Sequence, residues 1–284
     1  VFIKNLSSKN KFHSSLKVNL SPDLQFKKYS ADLFKTNYDL IVIALSLSGI
    51  KFISNEFKKF NIKSPILILT KGLKYDKKLN KVFTISEQLK KSNKYLDISV
   101  LKGPCLAKEL SKKKQTSVIV ANQSLKKAKS ICKMISTKYY ITETSRDIIG
   151  VEICSAIKNI YSIIIGAGDG LNKSSSLFQK SINEMIFITK FFNGLEKTTL
   201  GLAGVGDLYV SAAGGRNSKM GGYLGRGFTY KQAKKKFMPR DTVEGEQLIR
   251  EIAPFILKKI QKNKIPLMFK LINSITYNKK LILN

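Results

Sequence analysis

Short apolar runs alternate with helix-like segments through the first half of the chain. The runs that read as strands are 38–45 (YDLIVIAL), 64–70 (SPILILT), 97–101 (DISVL), 116–121 (TSVIVA) and 138–144 (KYYITET). Positions that are apolar one after another are typical of strands buried on both faces of a parallel sheet. Helical patterns lie between them, as in SGIKFISNEFKKF and KVFTISEQLKKS. This alternation predicts an open, mostly parallel α/β sheet.

The pattern changes near residue 146, where long helical stretches replace the alternation. The predicted helices cover 147–168, 174–193, 229–237, 244–261 and 264–282, and a glycine-rich segment at 201–227 interrupts them as a predicted loop. No strand pattern of comparable strength occurs in this half. We therefore predict two domains, a sheet-containing one at 1–145 and an all-α one at 146–284.

Polar and small residues follow three of the predicted strands. Ser46 follows the first, Lys71 and Gly72 follow the second, and the segment 102–107 (KGPCLA) follows the third. Ligands of open α/β sheets bind beyond the carboxyl ends of the strands. Each segment taken alone is also compatible with an ordinary turn. Together they predict one edge of a binding site.

The helix that contains GVEICSAIKNIYSIIIGAGDGL is apolar on most of its surface. Glu152, Ser155, Asn159 and Ser162 recur at helical spacing and form one narrow polar stripe, with Lys158 beside it. A helix that is apolar on most sides is buried on most sides, and a buried lysine is costly without a partner. Either the stripe faces water or Lys158 takes part in chemistry, and the spacing favours chemistry.

The glycine-rich segment contains one acid, Asp207, and the pair Arg216 and Asn217. A flexible surface loop is one interpretation. However, this chain almost always uses lysine, and here an arginine directly follows two glycines. The guanidinium fork suits bidentate phosphate binding, and glycines let backbone N–H groups approach an anion. We therefore interpret the segment as a phosphate-binding loop.

The charge of the chain is compatible with a different class of function, nucleic-acid binding. There are 51 basic and 19 acidic residues, which gives a formal net charge of +32. Only five of the basic residues are arginines, and the lysines are spread in runs such as KKSNK and KQAKKK that look like solvated helix faces. Since no nucleic-acid-binding motif accompanies the charge, a basic nucleic-acid-binding protein is kept as the less favoured alternative.

The sequence gives little support for a metal site, a disulfide or a membrane-spanning segment. Cys105, Cys132 and Cys154 have no CxxC spacing, and the single histidine, His13, lacks partner ligands. No uninterrupted apolar run approaches the roughly 18 residues of a membrane span. We expect no metal site, no membrane span and a reducing, cytoplasmic compartment.

Six segments taken together resemble the NAD(P)-dependent glycerol-3-phosphate dehydrogenase family. They are ILILTKGL, LKGPCLAKEL, IGVEICSAIKNIYSIIIGAGDGL, TTLGLAGVGDL, GGRNSKMG and TVEG, in the family's order. The resemblance implies a Rossmann-like NAD(P)-binding domain at 1–145 and an all-α substrate-binding domain at 146–284. It also implies the interconversion of dihydroxyacetone phosphate and sn-glycerol 3-phosphate with NAD or NADP, a supply of glycerol 3-phosphate for phospholipid synthesis, and a homodimer.

The resemblance also implies roles for individual residues. Lys158 matches the catalytic lysine, and burial together with Lys71 is expected to lower its pKa toward neutrality. The residues that match substrate contacts are Lys71, Gly103, Cys105, Lys158, Asp207, Gly215, Arg216 and Asn217. The residues that match cofactor contacts are Lys71, Ala107, Arg216, Thr242 and Glu244.

The sequence departs from the family at several places. Cys105 stands where serine or threonine is usual, and Ser46 follows a leucine where the family has Val-Pro-Ser. No glycine precedes Gly49, and the chain starts with Val1. We therefore expect the sheet to be incomplete at the N-terminus, without the family's first strand, its GxGxxG pyrophosphate loop and its second strand.

Two further questions stay open from the sequence. The preference for NAD or NADP is decided mainly at the end of the second strand, which we expect the chain to lack. A related two-domain dehydrogenase that acts on a non-phosphorylated hydroxy acid is the nearest enzymatic alternative. It shares the fold and often the central lysine, but the loop that contains Arg216 favours a phosphorylated substrate.

Overall fold

The structure is a computed structural model that describes residues 11–283. The first ten residues of the predicted sheet domain and Asn284 lie outside the described residues. Within the described part, the strands are β1 (Phe12–His13), β2 (Val18–Asn19), β3 (Ile41–Ile43), β4 (Ile66–Ile68), β5 (Leu73–Asp76), β6 (Lys81–Thr84), β7 (Ile98–Lys102), β8 (Thr116–Ala121) and β9 (Tyr140–Ser145).

The α-helices of the described residues belong to both halves of the chain. Those of the first half are α1 (Gly49–Lys59), α2 (Ile85–Ser92), α3 (Ala107–Leu110) and α4 (Leu125–Ile135). Those of the second half are α5 (Ile148–Gly166), α6 (Gly170–Phe191), α7 (Glu196–Leu200), α8 (Asp207–Ala212), α9 (Arg216–Gly225), α10 (Tyr230–Phe237), α11 (Glu244–Lys259) and α12 (Pro266–Thr276). The predicted domain boundary near residue 146 lies between β9 and α5.

The main sheet of the described residues has the strand order β3-β4-β7-β8-β9. Its pairings are parallel except for β7 with β8, which is antiparallel. Each of these five strands overlaps one of the five apolar runs, so the mostly parallel α/β sheet is confirmed. All three residues of β4, between β3 and β7, are buried. Burial on both faces explains why this strand has no polar alternation.

The segment KVFTISEQLKKS was predicted as a helix, and its first four residues are not helical. They form β6, which pairs with β5 in an antiparallel hairpin. Helix α2 begins only at Ile85, because Thr84 and Glu87 form a capping box. The Thr84 hydroxyl accepts from the Glu87 N–H, and the Glu87 carboxylate accepts from the Thr84 N–H at 2.9 Å. This reciprocal cap fixes the helix start and leaves the preceding β-forming residues free to pair.

The glycine-rich segment 201–227 was predicted as a loop, but most of it is helical. A π-helical turn (Leu202–Gly206) leads into α8, and α9 follows after a short connection. The glycines of α9 serve close packing against α5. A Cβ added at Gly221 would lie 2.0 Å from the Ile163 oxygen, and one at Gly225 would lie 2.4 Å from the Ala167 oxygen. The glycine pattern therefore marks a helix–helix contact and not a flexible chain.

Helix α5 is the centre of the second half of the molecule and packs against α6, α8, α9 and α11. Sixteen of its 19 residues are buried. By length and mean hydropathy it could cross a membrane, but 89% of its most apolar window is buried inside the protein. Its apolar surface is therefore that of a core helix surrounded by other helices.

Candidate active site

Most of the polar stripe of α5 is buried, and only Asn159 in it is partly exposed, on the cleft wall. Glu152 is 2% exposed and Lys158 is 6% exposed. Ser155 and Ser162 donate to backbone oxygens of their own helix, at 3.1 and 2.8 Å. Lys158 thus projects from an almost wholly buried helix, and its ammonium group needs partners supplied by other elements.

Asp207 supplies that partner and binds a second lysine as well. The Lys158 Nζ donates to Asp207 Oδ1 at 2.8 Å, and the Lys71 Nζ donates to Asp207 Oδ2 at 2.5 Å. Asp207 is 3% exposed and begins α8, directly after the π-helical turn. The Lys158 ammonium also donates to the Ser211 hydroxyl. One buried carboxylate therefore holds two ammonium groups from opposite halves of the chain.

The electrostatics of this cluster favour proton exchange at Lys158. Burial, and after it the nearby Lys71 ammonium, lower the pKa of Lys158 to about 8, although Asp207 acts in the opposite direction. An ordinary lysine has a pKa near 10.4. Lys158 can therefore lose and regain a proton close to neutral pH, which few lysines can do.

A cleft of about 740 Å³ opens beside this cluster, between the ends of the sheet strands and the helical half. This volume is typical of small-molecule and cofactor sites. The residues of the cleft wall that the resemblance assigns to substrate or cofactor are Lys71, Lys158, Gly215, Arg216, Asn217, Thr242 and Glu244. Ser46, past the end of β3, lies on the same wall.

Arg216 and Asn217 open helix α9 and connect it to two other helices. The Arg216 guanidinium pairs with the carboxylate of Glu244, the first residue of α11. The Asn217 amide donates to the Asn159 side chain at 3.1 Å, and its oxygen accepts from the Gly245 N–H at 3.0 Å. These bonds fix the starts of α9 and α11 against the central helix, at the edge of the cleft.

Four residues assigned by the resemblance do not line the cleft: Asp207, which the two cleft lysines contact, and Gly103, Cys105 and Ala107. Gly103, Cys105 and Ala107 belong to the segment between β7 and the start of α3. Gly103 has φ +130, where a side chain would be strained. Cys105 is exposed by surface area, yet the surrounding protein desolvates its thiol and raises the thiol's pKa, while the Lys71 ammonium acts to lower it. The structure therefore places the thiol within electrostatic reach of the cluster.

For two polar side chains near the site, the sequence predicted no individual role. Ser211 lies four residues after Asp207 on α8, so both face the same side of that helix and meet Lys158. The spacing of four residues could have predicted from the sequence that Ser211 lies beside Asp207. Lys102, the last residue of β7, is 2% exposed. In the sequence it belongs to the segment 102–107 at the predicted edge of the site, but no individual role was predicted for it.

A nicotinamide dinucleotide requires a place for its reactive ring and a cradle for its pyrophosphate. The cleft fits the first requirement, because Lys71, Arg216 and the buried Asn217 amide place cationic and amide donors around one space. The sequence contains no GxGxxG motif. Before β3, the described residues form only a short hairpin and the 3-10 helix Ala31–Lys35. The described residues therefore fit the nicotinamide end of the cofactor.

Two protein-family models match the chain. The model for the NAD-dependent glycerol-3-phosphate dehydrogenase N-terminus matches residues 2–128, and the model for the C-terminus matches residues 147–283. Together they cover most of the sequence, in the order expected for the family.

Curated relatives carry the same description. The chain is 32% identical to a Thermotoga glycerol-3-phosphate dehydrogenase [NAD(P)+] over 234 residues, which are 80% of this chain and 68% of the relative. It is 30% identical to the NADP(+)-dependent glycerol-3-phosphate dehydrogenase of Archaeoglobus fulgidus over 224 residues, which are 74% of this chain and 66% of the relative. The chain thus spans about two thirds of the length of these relatives.

Solved structures agree with this fold. The glycerol-3-phosphate dehydrogenase of Plasmodium falciparum superimposes with a TM-score of 0.86 at 20% identity, covering 98% of this chain and 80% of that one. The enzyme from Coxiella burnetii gives a TM-score of 0.81 at 22% identity, covering 98% and 85%. With the family models and relatives, these findings show that the chain belongs to the NAD(P)-dependent glycerol-3-phosphate dehydrogenase family.

Proposed function

We propose that the protein interconverts dihydroxyacetone phosphate and sn-glycerol 3-phosphate by hydride transfer with NAD or NADP. The observation that carries the proposal is the convergence of Lys71 and Lys158 on the Asp207 carboxylate, at the wall of a cleft that also contains Arg216. The cluster supplies a proton donor and the arginine supplies a phosphate anchor. Family membership supports the same reaction, since curated relatives carry this activity in their names.

Reduction of the ketone requires a proton for the developing alkoxide oxygen. When bound, the reduced nicotinamide supplies the hydride. Lys158 is the proposed general acid in this direction and the general base in the reverse one, because its pKa of about 8 lets both protonation states occur. Asp207 orients the Lys158 ammonium group and also binds Lys71, whose proposed role is to polarise the carbonyl oxygen. Both lysines thus stabilise negative charge that develops in the transition state.

Arg216 is the proposed anchor for the substrate phosphate. Its side chain is 54% exposed on the cleft wall, although it also contacts Glu244. A guanidinium has five N–H donors, so it can keep one carboxylate partner and still offer a fork to a phosphate. Arg216 is also the first residue of α9, where backbone N–H groups favour an anion. Holding the phosphate here fixes the distance between the carbonyl and Lys158.

The phosphate requirement tests the proposal against a hydroxy-acid dehydrogenase. We expect reduced nicotinamide to be oxidised with dihydroxyacetone phosphate, and far more slowly with dihydroxyacetone or a 2-oxo acid at equal concentration. The Arg216→Lys variant should raise the KM for dihydroxyacetone phosphate by roughly tenfold or more, because the bidentate fork is lost. Its kcat should change much less.

Arg226→Lys is the matched control for that variant. Arg226 follows the last residue of the same helix, and its guanidinium donates to the Gly222 oxygen and lies over the Tyr223 ring, away from the cleft wall. Its replacement should leave the KM unchanged. Preference of the wild-type protein for the 2-oxo acid would overturn the proposed substrate, and an unchanged KM in Arg216→Lys would remove the anchor role.

Four finer features belong to the same proposal and rest on family resemblance. The glycerol 3-phosphate produced is proposed to supply phospholipid synthesis. The protein is proposed to work in the cytoplasm as a homodimer. Both nicotinamide cofactors are proposed as candidates, since the relatives include an NADP(+)-dependent enzyme and NAD(P)+ enzymes.

A further inference from the structure

Lys102 is a buried lysine that contacts the strand end leading into the site. Its side chain is 2% exposed and does not line the cleft. Its Nζ donates to the Thr70 oxygen at 2.7 Å and to the Ile68 oxygen at 3.2 Å. Ile68 is the last residue of β4, and Thr70 lies just past it, immediately before Lys71. A buried ammonium group is costly, so these two bonds are the main contacts that offset its burial.

The strand end that Lys102 contacts is held from its other side as well. The pairing of β4 with β7 ends at Ile68 and Val100, so the Thr70 oxygen lies beyond the regular ladder. The Thr70 hydroxyl donates to the Leu45 oxygen at 2.8 Å and accepts from the Leu45 N–H at 3.2 Å. Thr70 is thus fixed between the end of β3 and the Lys102 ammonium, and the next residue is Lys71.

The charges around Lys102 connect it to the same cluster. Burial lowers the pKa of Lys102 to about 7, and Glu152 on α5 acts in the opposite direction, as does Asp207 more weakly, while Lys71 acts to lower it. Glu152 is itself held by the Ser86 N–H at 3.1 Å and by the Ser86 hydroxyl. The pKa of the Lys102 ammonium group thus depends on charged groups of three elements: Glu152 on α5, Asp207 on α8, and Lys71 after the end of β4.

We propose that Lys102 is a positioning residue: its ammonium group fixes the Ile68 and Thr70 oxygens and thereby holds the Lys71 ammonium against Asp207. Without the two bonds, the backbone at the end of β4 loses its partner on the β7 side. Lys71 would then sample positions away from the carboxylate. The kinetic consequence rests on the proposed function, whereas the placement of Lys71 does not and can be measured without turnover.

The placement of Lys71 is tested by its reactivity toward a water-soluble amine-acylating reagent, followed by peptide mass spectrometry. Lys102→Met keeps an unbranched side chain one atom shorter than lysine and removes both bonds. We expect Lys71, whose side chain is 32% exposed, to be acylated several-fold faster in this variant than in the wild type. Lys158, 6% exposed, should stay slow and so report that the protein is folded. An unchanged rate at Lys71 in a folded variant overturns the proposal.

Lys234→Met is the matched control. The Lys234 ammonium also donates to backbone oxygens, those of Met238, Pro239 and Asp241, but it lies away from the cleft. Its loss should not change acylation at Lys71. If Lys102→Met exposes Lys158 as well, the measurement is repeated with Lys102→Gln, whose amide keeps a shorter donor. The same expectation and the same contradicting outcome apply to that variant.

A double-mutant cycle gives the kinetic test. Lys102→Met is expected to lower kcat/KM for dihydroxyacetone phosphate by roughly ten- to a hundredfold, the size expected for a misplaced active-site group. In a Lys71→Ala background the same change should have little further effect, because Lys102 acts through Lys71. Fully additive losses contradict the positioning role. If the wild type shows no turnover at all, the proposed function fails while the acylation result still decides the role of Lys102.

Discussion

Lys158→Met is expected to lower kcat for the reduction of dihydroxyacetone phosphate by roughly a hundredfold to ten-thousandfold, the contribution typical of a general acid. Methionine fills nearly the same buried volume and removes a charge from an apolar helix, so we expect the fold to persist. The measurement is kcat at saturating substrate, with thermal unfolding followed alongside. Lys180→Met, on the exposed surface of α6, is the matched control and should keep wild-type turnover.

The pH dependence separates a proton donor from a structural lysine. The pKa of Lys158 is about 8, so the ammonium form that reduction requires is lost as the pH rises through that value. The rate of reduction should therefore fall above about pH 8, and the rate of glycerol 3-phosphate oxidation should rise over the same range. The residual activity of Lys158→Met should show neither the fall in the reduction rate nor the rise in the oxidation rate over this pH range. Wild-type turnover in that variant would remove Lys158 from the chemistry.

Asp207→Asn is expected to have the second-largest effect. The amide keeps the shape of the carboxylate but leaves the Lys158 and Lys71 ammonium groups without their shared counter-charge. Because Asp207 normally raises the pKa of Lys158, that pKa should fall in the variant. Reduction should slow by roughly a hundredfold or more, the usual cost of losing an oriented acid–base partner. The alkaline limb of the rate profile should also move to lower pH.

Glu56→Gln is the control for that variant. Glu56, on α1, is another buried carboxylate, 5% exposed, and lies away from the cleft. It binds Lys59 at 2.7 Å and accepts a hydrogen bond from the Tyr29 hydroxyl. Its replacement should lower thermal stability without moving the pH profile. If Asp207→Asn loses stability but keeps both its turnover and the wild-type pH profile, Asp207 is a structural group only.

The hydrophobic pattern predicted the sheet well because strands buried on both faces are apolar at consecutive positions. β4 is apolar at every position, since strands cover both its edges and its side chains belong to two hydrophobic clusters that also contain helix residues. The error at β6 has a local cause. Lys81–Thr84 and α2 form one continuous amphipathic stretch in the sequence, and only the reciprocal cap between Thr84 and Glu87 divides them. A capping box can be recognised from the sequence, but here the amphipathic helical pattern of the surrounding residues favoured a helix that starts earlier.

The glycine-rich segment shows where composition misleads. Glycine favours loops on average, yet Gly221 and Gly225 lie inside or at the end of α9 because a Cβ there would collide with backbone oxygens of α5. That contact joins segments distant in sequence, and no local pattern reports it. The same applies to Lys102, whose partners Ile68 and Thr70 lie on a neighbouring strand. Its burial follows from the strand order, which periodicity alone does not define.

Part of the site could be predicted from the sequence because two of its residues are unusual for their surroundings. Lys158 stands out in an apolar helix, and Arg216 stands out in a chain that prefers lysine. The sequence did not indicate that Asp207 would hold two lysines at once. That arrangement requires the end of β4 and the start of α8 to meet, and this is a property of the tertiary fold.

The most direct test of the proposed reaction follows the hydride itself. The protein is incubated with dihydroxyacetone phosphate and nicotinamide cofactor that carries deuterium at the transferable position, and the product is analysed by NMR and mass spectrometry. The proposed reaction predicts sn-glycerol 3-phosphate with one deuterium on C2, the former carbonyl carbon. Lys158→Met should form this product at least about a hundredfold more slowly. Labelled product from the 2-oxo acid but none from dihydroxyacetone phosphate would contradict it.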